Sequence, residues 1–140
     1  MRLNVLLTGT SSDSHTWNLV YMQLLIEESG HEVRNLGPCV PDDLLVRTAV
    51  GTPTDLIVMS TVNGHGLTDG ARVVRLLRGE PALRDVPIVI GGKLGVAGDS
   101  GPEGVQALLE AGFTAVFGDD EVDVALFGAY IDSVAARVSR

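Results

Sequence analysis

Three short segments of this sequence hold residues whose types and spacing could do chemistry. The first is Asp13-Ser14-His15, where a carboxylate stands two positions before an imidazole. A carboxylate that near can accept the Nδ1–H, fix the tautomer and leave Nε2 free to bind a metal. The same pair also suits a solvated loop histidine beside a helix-capping acid. The second segment is Ser60-Thr61-Val62. Its hydroxyls can satisfy loop backbone groups or reach a ligand. The third is Gly91-Gly92, either a tight turn or a place where a flat ligand lies against backbone that carries no Cβ. His65, between two glycines, invites a metal or catalytic role and equally fits a surface histidine.

Other site chemistries find no support in the pattern. There is no G-x-x-x-x-G-K-[ST] phosphate loop and no C-x-x-C pair. His15, His31 and His65 lack zinc-ligand spacing, and Asp55, Asp69, Asp119 and Asp120 make no recognisable metal cluster. Ser60 has no base and orienter near it in sequence, so a hydrolase triad is unsupported.

The elements that must position these residues follow from periodicity. Residues 3 to 8 are a short apolar run, read as a strand buried on both faces. After a polar loop, Trp17, Val20, Tyr21, Leu24 and Leu25 recur at helical spacing, as an apolar helix face would, and Gly30 sits where the helix would end. Residues 31 to 36 suggest an edge strand. Pro41 and Asp42 open a helix with Leu44, Leu45, Thr48 and Ala49 inward. Strands are expected at residues 55 to 60, 86 to 90 and 113 to 117, and helices at about Thr68 to Arg78 and Pro102 to Ala111. The last helix carries Val124, Phe127, Ile131, Val134 and Val138 on one stripe.

Five strands thus alternate with five helices, which makes the strands parallel. The expected fold is α/β, a flavodoxin-like (Rossmann-like) doubly wound sheet of order 2-1-3-4-5 in three layers. Ligands of such sheets bind outside the C-terminal strand ends, and the three segments above all lie at such ends.

Composition agrees. A chain of 140 residues suits a single domain over residues 1 to 140, and 45% apolar residues suffice for its core. The formal charge of −8 disfavours nucleic acid as a partner. No run of 18 apolar residues would span a membrane, and the N-terminal apolar stretch is too short for a signal peptide. Cys39 stands alone, so no internal disulfide can form, and a cytoplasmic location is the default.

Taken together, the segments resemble the cobalamin-binding family, whose pattern is D-x-H-x-x-G, then S-x-L, then G-G. Here they stand as Asp13-Ser14-His15-Thr16-Trp17-Asn18, Ser60-Thr61-Val62 and Gly91-Gly92. Order and separation match from Val5 to about Gly118. The stretches N-L-G-P-C-V-P-D-D-L and V-M-S-T-V-N-G-H-G are similar to the small, cobalamin-binding subunits of glutamate (methylaspartate) mutases. Asn18 and Val62 depart from the pattern's glycine and leucine. Gly118-Asp119-Asp120 replaces a glycine–threonine–proline–proline run.

The resemblance implies a set of roles. His15 would displace the cofactor's own dimethylbenzimidazole and bind cobalt from below, with Asp13 on its other nitrogen. Ser12, Ser14 and Thr16, in the same loop, would also bind the cofactor. The freed nucleotide tail would enter a slot beside strands one, three and four, touching Asn18, Ser60, Thr61 and Val62. Gly91 and Gly92 would leave it room, and Lys93, Leu94 and Gly95 would line the rim. On local grounds, being polar, Gly-flanked and without an obvious inward partner, the loop from Ser11 and the start of the first helix are expected to be mobile until the tail fills the slot.

The implied function is that of an isomerase subunit, inactive alone. It would present adenosylcobalamin to a larger barrel-type catalytic mutase subunit that binds a small amino-acid substrate. Homolysis of the cobalt–carbon bond would start a radical carbon-skeleton rearrangement, for the closest relatives the interconversion of glutamate and 3-methylaspartate. A corrinoid carrier or methyl-transfer module would use the same motif. It usually has a helical cap before the first strand, which is not seen here. A receiver-like signalling domain shares the fold but needs a phosphorylatable Asp at the end of strand three, where Ser60 stands.

Overall fold

A computed structural model describes residues 2–62, 66–92, 101–118 and 121–138. The strands are β1 (Asn4–Thr8), β2 (Glu32–Asn35), β3 (Leu56–Thr61), β4 (Ile88–Gly92) and β5 (Ala115–Phe117). The helices are α1 (Trp17–Glu28), α2 (Asp42–Gly51), α3 (Gly66–Arg78), α4 (Gly101–Ala111) and α5 (Glu121–Val138), and a 3-10 turn spans Pro81–Leu83. All four strand pairs are parallel, and the order is β2-β1-β3-β4-β5. The expected flavodoxin-like sheet is the one observed.

Strand alternation splits the core in two. Leu6, Ile57, Met59, Ile88 and Ile90 face one layer, where they meet Leu45, Val73, Val74, Leu77 and Leu108 of α2, α3 and α4. Val5, Leu7, Leu56, Val58 and Val89 face the other, with Leu19 and Ile26 of α1 and Phe127, Ile131 and Val134 of α5. Strands buried on both faces read as continuous apolar runs, which is why β1, β3 and β4 stand out in the sequence. At the edge, β2 turns Glu32 and Arg34 to solvent, a polar rim that discourages strand pairing with another chain.

Three expectations about helix faces are corrected. The stripe Trp17, Val20, Tyr21 and Leu24 of α1 faces solvent, with Trp17 82% exposed. The helix instead buries Leu19 and Ile26, with Met22 and Leu25 packed beside them. It is apolar around more than one face, so periodicity alone chose the wrong one. In α2 Leu45 and Ala49 are buried but Leu44 is exposed, and in α5 the stripe ends at Val134, leaving Val138 exposed. Gly30 does end α1: its φ of +92° suits glycine, and its N–H donates to the Glu27 carbonyl. Among the described residues, no helix is long and apolar enough to cross a membrane.

Candidate functional site

The C-terminal ends of β1, β3 and β4 converge. Past the end of β1 the chain turns at residues 9 to 16, and Asp13 folds back into the molecule, where its side chain is 1% exposed. Its Oδ1 accepts the His15 backbone N–H at 3.0 Å and faces His15 Nδ1 at 2.7 Å. The first contact is an Asx turn, a local reason for the two-residue spacing. Oδ2 accepts the Thr61 hydroxyl and the Val62 N–H, each at 2.7 Å. One carboxylate thus ties the β1 loop to the end of β3.

Burial alone would raise the Asp13 carboxyl. The bonds from the His15 backbone, Thr61, Val62 and the His15 ring outweigh it and lower its pKa to about 2. Asp13 is therefore a carboxylate at neutral pH, and His15 Nδ1 must carry the proton it accepts. In the neutral ring Nε2 is then the nitrogen with the lone pair, on a side chain that is 58% exposed. A basic nitrogen on an exposed ring, oriented from behind by a buried carboxylate, is the donor set of a metal-ligating histidine.

The glycines lie inside β4, two residues beyond where the sequence places its end. Gly91 pairs with Ser60 and Gly92 with Thr61. Gly92 has φ +107°, and a Cβ there would come within 2.1 Å of the Thr61 carbonyl oxygen. No side chain fits at that position. Gly91 faces the α1 and α5 layer and lines a slit of about 30 Å³ with Met22, Leu25, Val89, Phe117 and Phe127. At the strand ends, Asn18 Nδ2 donates to Ser60 Oγ at 3.0 Å, bridging α1 to β3, while Asn18 Oδ1 is buried with no partner among the described residues. A larger groove at the opposite edge, around Arg2, His31 and Arg34, lies away from these residues.

The structure thus gathers Asp13, His15, Thr61 and Val62 into one network, joins Asn18 to Ser60, and brings Gly91 and Gly92 to the slit. Ser14 and Thr16 are exposed loop residues flanking His15. Lys93, Leu94 and Gly95, like His65, Asp119 and Asp120, lie outside the described residues. The β1 loop was expected to lack inward partners, and it has several. Ser12 Oγ donates to Asp69, and Arg72 donates to Ser11 Oγ at 2.9 Å, to Asp69 at 2.9 Å and to Asp42 at 2.7 Å. The Cys39 N–H donates to the Asp13 carbonyl at 2.8 Å. Sequence reasoning missed Arg72 and Asp42. The i, i+3 spacing of Asp69 and Arg72 on α3 signals an ion pair, but nothing local says what else the arginine reaches.

Residues 3–128 match the B12 binding domain family. A glutamate mutase sigma subunit of Fusobacterium nucleatum is 29% identical over 106 residues, covering 76% of this chain and 77% of that protein. A cobalamin-binding protein from Desulfitobacterium hafniense superposes with a TM-score of 0.76 at 20% identity. The match covers 95% of this chain but only 59% of that one. A chemotaxis response regulator of Vibrio cholerae superposes at 0.71 and 16% identity over 96% and 99% of the two chains, a likeness of fold alone. The chain belongs to the B12-binding domain family.

Proposed function

We propose that this chain binds adenosylcobalamin as the small subunit of a carbon-skeleton mutase of the glutamate mutase type, with His15 as the lower cobalt ligand. The observation that carries the reading is the 2.7 Å contact between buried Asp13 and His15 Nδ1, which leaves Nε2 as a free donor at the C-terminal end of a parallel sheet. Two further features fit the cofactor. Gly91 and Gly92 add no side chain to the lining of the slit at the strand ends, and an amide oxygen on Asn18, bridged through its Nδ2 to Ser60, is buried without a partner among the described residues.

When bound, adenosylcobalamin supplies the radical chemistry. The protein's own residues do the rest. His15 would hold the cobalt, and Asp13, by its contact with Nδ1, would fix the ring and strengthen its donor nitrogen. Ser60, Val62, Gly91 and Gly92 would border the space for the nucleotide tail; Lys93, Leu94 and Gly95, which follow in sequence, lie outside the described residues. A separate, larger catalytic subunit would bind the amino-acid substrate. A receiver role is the weaker reading, because Ser60 and Thr61 end β3 where a phosphorylatable aspartate is needed.

Mixing the purified protein with adenosylcobalamin tests this. The visible spectrum should change from base-on to histidine-bound, and the colour should stay with the protein through gel filtration. His15→Ala should lose the histidine-bound spectrum. Absence of binding by the wild type at high concentration would refute the reading.

A further inference from the structure

The loop that carries His15 is fastened on two sides. On one side Asp13 binds the end of β3 through Thr61 and Val62. On the other, the two residues before Asp13 are held from α3. Ser12 Oγ donates to the buried Asp69, and Ser11 Oγ accepts from Arg72 Nη2 at 2.9 Å. The first fastening orients the His15 ring. The second touches no part of that ring, and a single guanidinium stands at its centre.

Arg72 uses all three of its side-chain nitrogens. Nη1 meets Asp69 Oδ1 at 2.9 Å, one turn back on α3. Nε and Nη2 take the two oxygens of Asp42 at 2.7 and 3.1 Å, a fork against the first turn of α2. Nη2 also reaches Ser11. One side chain thus joins α2, α3 and the loop after β1.

The grip on α2 acts on the loop by a second path. Cys39, three residues before Asp42, has φ +53° and is the one non-glycine residue with positive φ among the described residues. In that conformation its N–H donates to the Asp13 carbonyl at 2.8 Å, and the Gly37 carbonyl accepts the Gly9 N–H at 3.2 Å. A cysteine keeps a left-handed backbone only where its surroundings fix the chain around it. Asp42, clamped by Arg72, fixes it on one side. Residues 37 to 42 therefore lie against residues 9 to 13, and Arg72 is bonded to both, at Asp42 and at Ser11.

We propose that Arg72 is a positioning residue that holds the loop from Gly9 to His15 in its ligating form before the cofactor arrives. The proposal rests on the reading of His15 as the cobalt ligand and adds how that ligand is kept ready. A loop that is formed only part of the time weakens binding by the fraction of molecules in the competent form, and slows association likewise when the loop must form first. An exposed ion pair alone does little, but a bidentate fork with a shared hydrogen bond is a network. All of these bonds are to protein. Removing Arg72 should change how often His15 is ready, and leave unchanged what His15 does.

The test uses the full chain and three measurements: stopped-flow association with adenosylcobalamin, the visible spectrum at saturation, and amide hydrogen exchange without cofactor. Arg72→Met keeps the stem and removes the whole set of bonds. Its association should be about tenfold slower than wild type, a competent fraction of about one in ten, while the saturated spectrum stays histidine-bound. Exchange at the His15 and Cys39 amides, protected in wild type, should quicken by a like factor. Arg72→Lys, a point charge without the fork, should fall between the two. Ser11→Ala removes only the bond to the loop and serves should Arg72→Met lose its fold; it should slow association about threefold. Val134→Ala, which opens a cavity in the core beneath α5, is the control: it should lower stability and leave the association rate alone. Wild-type association in Arg72→Met or Ser11→Ala, or equal slowing in Val134→Ala, would overturn the proposal while His15-dependent binding stood. If the wild type bound no cobalamin, the proposal and the cofactor reading would fall together.

Discussion

Replacing Asp13 by Asn removes one charge and almost no volume, which makes it a sharp probe of the network around His15. All four contacts of the carboxylate come from donors: the His15 N–H, the His15 ring, the Thr61 hydroxyl and the Val62 N–H. An amide can accept on one side only. If its NH2 faces His15, the ring can change tautomer but the backbone N–H cannot. If it faces β3, Thr61 can rotate but the Val62 N–H cannot. Either way a backbone donor loses its acceptor, at about 1–3 kcal/mol. A second route to the magnitude is the carboxyl pKa, lowered from 3.8 to about 2. At about 1.4 kcal/mol per pH unit this is worth about 2 kcal/mol. The group is almost fully buried, so solvent screening takes little from that figure. The two routes agree on a loss of about 2–3 kcal/mol at pH 7. The sign of the pH dependence is set by a folded pKa below the unfolded one. The stabilisation is complete above about pH 4 and is lost as pH falls toward 2. Urea denaturation of both proteins at pH 7, 5 and 3 measures the gap. It should be constant from pH 7 to 5 and smaller at pH 3. An Asn variant as stable as wild type at pH 7, or a gap that does not shrink with acid, would refute the reasoning.

Other perturbations follow from the same geometry. Gly92→Ala should cost about 3 kcal/mol or more in thermal melts, because φ is +107° and the added Cβ would meet the Thr61 carbonyl oxygen at 2.1 Å. On α1, Leu19→Ala should cost about 2–5 kcal/mol and Leu24→Ala less than about 0.5, since the first side chain is 1% exposed and the second 57%. Comparable losses at the two positions would show that α1 is turned differently. His31 is buried, its Nδ1 accepting the Leu3 N–H, and burial lowers its pKa below the usual 6.5. The unfolded chain then takes up more protons, so melting temperature should fall as pH drops below about 6.5. His31→Gln should flatten that slope while leaving the acid transition of Asp13 in place.

What was legible in the sequence divides by distance along the chain. Asp13 and His15 are two residues apart, and an Asx turn needs nothing else, so their pairing could be read directly. The buried runs of β1, β3 and β4 were legible for a similar reason, since a strand covered on both faces leaves no polar positions to obscure it. The helix α1 shows the limit. Its apolar residues cover more than one face, and the choice between Leu19 with Ile26 and Trp17 with Leu24 is made by the sheet it packs on. Nothing within twelve residues of helix reveals that choice. The Asn18–Ser60 bridge and the reach of Arg72 to Ser11 and Asp42 depend in the same way on strand order.

That division bears on how the site works. The locally encoded part, Asp13 with His15, would hold the metal of any corrinoid. The part assembled by the fold, Asn18 against Ser60 beside Gly91, ties α1 to the end of β3. Ligation by His15 would therefore be separable from the packing of α1. A substitution at Asn18 should lower stability while leaving the histidine-bound spectrum intact, and one at His15 should remove that spectrum for every corrinoid alike.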